Sequence, residues 1–208
     1  LDDPIALPII GAQAEETLRN AGRKEHRIYT RVARTFMAVR SRFAEDELAR
    51  SLSRGVRQYV VLGAGLDTFA YRDPHPMGTL HVFEVDHPAT QAWKRAKLVK
   101  AGISIPGSVT YAAVDFERQT LADGLSAAGF DPTVPTFFSW LGVTMYLTSD
   151  AIDATLAFIA SMPKGSGIVF DYGVPSRSLN IVERFFRRML ERRVAKVGEP
   201  FISYFGLP

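Results

Sequence analysis

The run Tyr59-Val60-Val61-Leu62-Gly63-Ala64-Gly65-Leu66-Asp67-Thr68 constrains the fold of this chain more than any other stretch. Tyr59 to Leu62 reads as a buried parallel strand, and the glycines that follow allow a tight turn whose backbone a ligand can approach without meeting a Cβ. A second β-rich run, His81-Val82-Phe83-Glu84-Val85-Asp86, ends in an acid about 20 residues past the glycines, where open α/β sheets place a ribose-binding carboxylate. Strand, glycine turn and distal acid together predict a nucleotide-type cofactor site.

Beyond Tyr59 the pattern repeats as strand, turn and helix. Strands are predicted over Tyr59–Leu62, His81–Val85, Val109–Val114, Thr136–Trp140 and Gly167–Phe170, and crossover helices over Ala89–Ala101, Leu121–Ala128 and Asp150–Met162. Such alternation gives an α/β fold with a mostly parallel, doubly wound sheet. Upstream, Ala14–Ala21 and Ile28–Leu52 read as helices, the second ended by Gly55. Val32, Phe36, Val39, Phe43 and Leu48 fall near helical spacing, so this long helix is expected to pack beside the first strand. One domain is expected, with residues 1–55 a helical cap, 56–175 the cofactor-binding core and 176–208 a substrate-side helical segment.

Asp86, Asp115 and Asp171 each end a strand, the side on which open sheets bind ligands. The plain alternative for each is a helix cap or turn carboxylate. His87 offers the same choice between a place near the cofactor and turn chemistry before Pro88.

Composition removes several function classes. There is no cysteine, which excludes disulfides, thiolate metal sites and a cysteine nucleophile. His26, His75, His81 and His87 show no metal-ligand spacing, so no metal is expected. No apolar run approaches the roughly 18 residues of a membrane span, and the N-terminal residues lack a signal-peptide layout. A soluble, cytoplasmic protein is the expectation. Net charge is only +3, with basic and acidic residues mostly interspersed, which argues against a nucleic-acid partner. The exception is Arg184 to Lys196, where Arg184, Arg187, Arg188, Arg192 and Arg193 lie largely opposite an apolar face. That face reads as solvated, or as a surface for an acidic substrate or partner.

The glycine turn itself narrows the cofactor. A dinucleotide loop needs a third glycine where Thr68 stands, and no Walker Gly-x-x-x-x-Gly-Lys-Ser/Thr occurs. Asp67 would also meet a pyrophosphate with like charge. A cationic cofactor fits better, and S-adenosylmethionine carries a sulfonium and an ammonium.

Longer motifs extend this reading. QYVVLGAGLDTFAYR at Gln58–Arg72, FEVDHPATQAWKRAKL at Phe83–Leu98, VRSRFAEDEL at Val39–Leu48 and FFSWLGVTMYLT at Phe137–Thr148 make the chain similar to the leucine carboxyl methyltransferase superfamily, most of all to its bacterial S-adenosylmethionine-dependent members. The resemblance runs almost the whole length and implies a Rossmann-like class I methyltransferase fold. It implies that Arg40 holds the methionyl carboxylate, with Arg42 a competing candidate, and that the loop passes beneath it at Gly63 and Gly65. Asp86 would take the ribose hydroxyls, and Asp115 with Phe116 the adenine. Tyr146 is the candidate catalytic residue, against a plain packing role. Where eukaryotic members carry an acid after the fourth strand, Leu141 stands here.

The expected activity is methyl transfer from S-adenosylmethionine to a carboxylate or hydroxyl of a small molecule or peptide, with the oligomeric state open. Family members continue past a segment similar to Gly198–Pro208, so the resemblance implies that the last strands of the sheet lie outside these residues, leaving an apolar edge and an incomplete acceptor site. Two alternatives remain from the residues: an NAD(P)-dependent oxidoreductase, and a non-catalytic cofactor-binding domain.

Overall fold

The computed structural model describes residues 3–11, 16, 27–76, 78–115, 118–175, 178–181, 183–184, 187–188, 191 and 201–205. The helix expected over Ala14–Ala21, apart from Glu16, lies outside them, as does most of the Arg184–Lys196 segment.

A short helix, α1 (Ala6–Ile10), precedes a long one, α2 (Arg27–Ser53). The alternating part follows as β1 (Gln58–Leu62), β2 (His81–Asp86), α3 (Pro88–Lys100), β3 (Val109–Ala113), α4 (Leu121–Ala127), β4 (Thr136–Trp140), α5 (Ser149–Ala160) and β5 (Gly167–Phe170). Short 3₁₀ turns sit at Phe69–Tyr71 and Thr144–Tyr146. All five strands pair in parallel, in the order β3-β2-β1-β4-β5. The order reverses between β1 and β4, and at such a switch point the loops leaving adjacent strands part and open a crevice.

Burial explains why these runs became strands. Every residue of β1 and β4 is buried, as in a parallel sheet covered on both faces, and their polar members are paired inside it, Gln58 with Thr136 and Ser139 with the Tyr59 hydroxyl. One face carries Val60, Leu62, Phe83, Val85, Phe138 and Trp140 against Leu121, Leu125, Ile152 and Ile159 of α4 and α5. The other face packs Tyr59, Val61, Val82 and Phe137 against Leu48 and Leu52 of α2 and Phe69 of the first 3₁₀ turn. β5 forms one edge of the sheet, with all of its residues half-buried. Helix starts follow capping chemistry. Thr120 accepts from Asp123 N–H at 3.1 Å and Thr148 from Ala151 N–H at 3.3 Å, while His87 caps α3 by accepting from Ala89 N–H at 3.2 Å.

The sequence-based account of α2 needs correction. Val32, Phe36, Val39 and Phe43 are 53–61% exposed, and only the C-terminal part of the helix, at Ala44, Leu48 and Leu52, enters the core. At about 100° per residue, Leu48 lies roughly 140° around the helix from Phe43, so it never belonged to the same stripe. The buried face is instead Leu52, Leu48 and Ala44, and its continuation toward the N-terminus, the half-buried Ser41 and the exposed Met37, lines a cavity rather than the core, so no apolar periodicity extends along it.

Candidate functional site

A cavity of about 710 Å³ opens at the switch point, walled by the turn from Leu62 to Thr68, by Ser139 of β4 and Leu141 just after it, by Met37, Ala38, Arg40 and Ser41 of α2, and by Asp3 with Ala6, Ile9 and Ile10 of α1. The long helix thus carries one face from the core out over the carboxyl ends of the strands. Among the described residues, no group of three or more His, Asp or Glu could hold a metal. No helix there is long and apolar enough to cross a membrane.

The turn is pinned from beneath. Gly63 and Ala64 donate their N–H groups to Val85 O at 2.8 and 3.0 Å, and Gly65 N–H donates to Asp86 Oδ2 at 2.6 Å. His87 N–H meets the other oxygen, Asp86 Oδ1, at 2.7 Å. The glycines have different reasons to be glycine. Gly63, at φ 67°, would put a Cβ 2.3 Å from Val143, so it permits loop packing. Gly65, at φ 43°, has only Gly63 O near its Cβ position, at 3.9 Å, and stays open toward the cavity.

Arg40 reaches into the cavity from α2 and pairs through Nη1 with Asp171 Oδ2. The other oxygen of Asp171 accepts from Gly142 N–H at 2.6 Å, and its carbonyl accepts from Thr144 Oγ1 at 2.6 Å. A Cβ on Gly142, at φ 75°, would stand 2.9 Å from Arg40 Nη2, so only glycine leaves room for the guanidinium. Arg40 Nε is buried and has no hydrogen-bond partner among the described residues. Arg42, the competing arginine, instead makes an exposed i,i+4 pair with Asp46 at 2.8 Å.

The acids in the cavity wall differ. Asp3 accepts from Thr68 Oγ1 at 2.5 Å and lies 3.3 Å from Arg72 Nε, and Arg72 in turn pairs with Glu45 at 2.5 Å. Among the described residues the Asp67 carboxylate accepts one hydrogen bond, from Phe69 N–H to Oδ1 at 2.9 Å. Burial pushes its carboxyl above the usual range, Glu45 adds to the rise, and Lys94 and Arg72 counter it.

Of the residues singled out from sequence, the cavity gathers Arg40, Gly63 and Gly65, with Asp86 one hydrogen bond behind Gly65. Asp115 and Tyr146 do not line it. Asp115 follows β3, its carbonyl capping the turn through Arg118 and Gln119 N–H groups and its carboxylate 3.5 Å from Arg118 Nε. Tyr146 is half-buried with its ring edge-on to Phe201 at 5.3 Å. Phe116 lies outside the described residues. Asp171 turned out to be a seat for an arginine rather than a cap or solvated carboxylate. Sequence reasoning missed the Gly142 seat and the contribution of Asp3. Only the φ-demanding glycine in Leu141-Gly142-Val143 could have signalled the former.

Comparison with known proteins begins with the leucine carboxyl methyltransferase family, whose model matches residues 1–160. The chain belongs to that family. Among relatives of this leucine carboxyl methyltransferase family member, a Bacillus subtilis protein named "Putative S-adenosyl-L-methionine-dependent methyltransferase YktD" is 41% identical over 80% of this chain and 55% of its own length. A Mycobacterium tuberculosis protein named in the same words is 31% identical over 95% of this chain and 66% of its own length. The chain therefore spans between about half and two thirds of the length of these curated relatives. In three dimensions it resembles a crystal structure of a "putative methyltransferase" from Thermobifida fusca, with a TM-score of 0.55 and 19% identity over 82% of this chain and 63% of that one. That likeness shows a shared fold, which agrees with the α/β architecture expected from the alternating elements and with the Rossmann-like fold that the family resemblance implies.

Proposed function

We propose that this family member binds S-adenosylmethionine in the switch-point cavity and, as an O-methyltransferase, transfers the methyl group to a carboxylate or hydroxyl of a small molecule or peptide. The observation that carries the reading is Arg40, whose buried Nε lacks a partner among the described residues and which lines the cavity with an open glycine turn. A buried guanidinium N–H without an acceptor is costly, and a ligand carboxylate would supply one.

The remaining residues fit the same cofactor. Asp86 spends two acceptor sites on backbone N–H groups, and a carboxylate with about four such sites keeps room for ribose hydroxyls. Asp115 and Phe116 would meet the adenine, and Tyr146 would face the acceptor. When bound, S-adenosylmethionine would supply an electrophilic methyl carbon on a positively charged sulfur. The protein's part is to align the acceptor and exclude water. Leu141 and the α1 residues give the cavity apolar wall for that purpose. A carboxylate acceptor is ionised at neutral pH and needs no base, whereas a hydroxyl acceptor requires a group to take its proton.

Titration calorimetry tests the reading. S-adenosylmethionine and S-adenosylhomocysteine should bind while NAD does not; binding of NAD alone would replace this function with the oxidoreductase. Transfer of a labelled methyl group in a cell extract then identifies the acceptor, and cofactor binding without transfer to any acceptor would favour a non-catalytic domain.

A further inference from the structure

The charged side chains that wall the cavity are Asp3, Arg40, Asp67 and Arg72. Arg40 pairs with Asp171, while Asp3 and Arg72 answer each other, with Glu45 completing the set. Asp67 stands apart, since among the described residues its carboxylate accepts only from the Phe69 amide and makes no ion pair. The cations nearest in effect, Lys94 and Arg72, are committed elsewhere: Lys94 Nζ sits 2.8 Å from Glu84 and Arg72 Nη2 2.5 Å from Glu45. A half-buried carboxylate that opens onto a cavity and that no cation contacts among the described residues is a seat for a positively charged ligand group.

We infer that Asp67 binds the α-ammonium of the cofactor's amino-acid end, so that Asp67 and Arg40 together recognise a zwitterion. This rests on the cofactor reading above and deepens it. The two residues line one cavity, Asp67 from the turn after β1 and Arg40 from α2, with opposite charge and, among the described residues, with Asp67 Oδ2 lacking a donor and Arg40 Nε an acceptor. An α-amino acid presents the complementary pair. A dinucleotide pyrophosphate presents only negative charge, so the same aspartate selects against it.

Asp67→Asn is the suited variant, because the side chain keeps its shape and Oδ1 can still accept from Phe69 N–H while the charge is lost. The probes are S-adenosylhomocysteine and its des-amino analogue, 5′-deoxy-5′-(3-carboxypropylthio)adenosine, each titrated calorimetrically. The wild-type protein should prefer S-adenosylhomocysteine by about 10- to 100-fold, the size of a charge-assisted hydrogen bond. Asp67→Asn should abolish that preference while binding the analogue as the wild type does. Equal wild-type affinity for the two probes, or a preference that survives in the variant, overturns the inference while leaving the cofactor reading intact. Failure of the wild type to bind either probe overturns both. Should circular dichroism show Asp67→Asn unfolded, Asp67→Ser takes its place, and the wild-type comparison of the two probes already decides against the inference if they bind equally.

Discussion

Arg40 and Arg42 are two residues apart on one helix, yet the fold gives them different work. Arg40 is seated by Asp171 over Gly142 with one nitrogen unsatisfied, whereas Arg42 sits in water against Asp46. Arg40→Ala and Asp86→Ala should therefore each weaken S-adenosylmethionine binding by about 1 to 3 kcal/mol in calorimetry, with Arg42→Ala unchanged. Equal affinity across all three variants would remove Arg40 and Asp86 from the site. Asp67 makes a separate prediction about stability. Burial raises its folded pKa above the unfolded value of about 3.9, so the folded protein keeps a proton that the unfolded chain has already released. Stability at this site is consequently lost as pH rises from the unfolded value through the folded one. Thermal melts should place Asp67→Asn above the wild type at pH 7, with the gap closing below about pH 4, where both states are protonated. A gap that persists in acid would show that the charge is not its cause.

At the scale of elements, β2 is joined to α3 by a charge pair inside the core. Glu84 and Lys94 are both 1% exposed at 2.8 Å, Tyr71 donates to Glu84 at 3.0 Å, and the Tyr71 and Tyr111 hydroxyls meet at 2.6 Å. Removing one partner of a buried pair leaves an uncompensated charge, whereas removing both with shape retained is far milder. Lys94→Met should lower unfolding free energy in urea by about 3 to 5 kcal/mol, and Glu84→Gln added to it should restore a large part of that loss. A double variant no more stable than the single would mean the pair is not the coupling. These elements also show what a sequence exposes. The bounds of the central strands β1, β2 and β4 were legible to within one residue because a parallel strand buried on both faces is a mostly apolar run. The Glu84–Lys94 tie was not, because a glutamate inside such a run reads as an interruption until the helix that answers it is in place. His87 gave two readings, and only the helix start at Pro88 shows it as a cap.

Across the whole molecule, the parts that sequence left unread are those that join distant segments. Arg40 and Asp171 are 131 residues apart, and Asp3 meets Thr68 across 65. Neither pairing has a local pattern, since each depends on the switch point bringing the loops after β1, β4 and β5 beneath one end of α2. The same placement explains the misread phase of that helix. Its buried face is confined to the C-terminal part from Ala44 on, and the cavity-lining part before it carries small and polar residues such as Ala38, Arg40 and Ser41, while the regular apolar stripe at Val32, Phe36, Val39 and Phe43 is exposed. Exposed side chains contribute little to folding, and a core leucine contributes much. Val39→Gln with Phe43→Gln should leave the urea midpoint close to that of the wild type, within about 0.5 kcal/mol per site. Leu48→Ala, at 0% exposure five residues further on, should cost about 2 to 5 kcal/mol. Glutamine is chosen because it holds helix propensity, which leaves lost apolar contact as the main variable. If the stripe variant were as destabilised as Leu48→Ala, the stripe would have to be covered in solution, and α2 would then carry its burial on two faces rather than one.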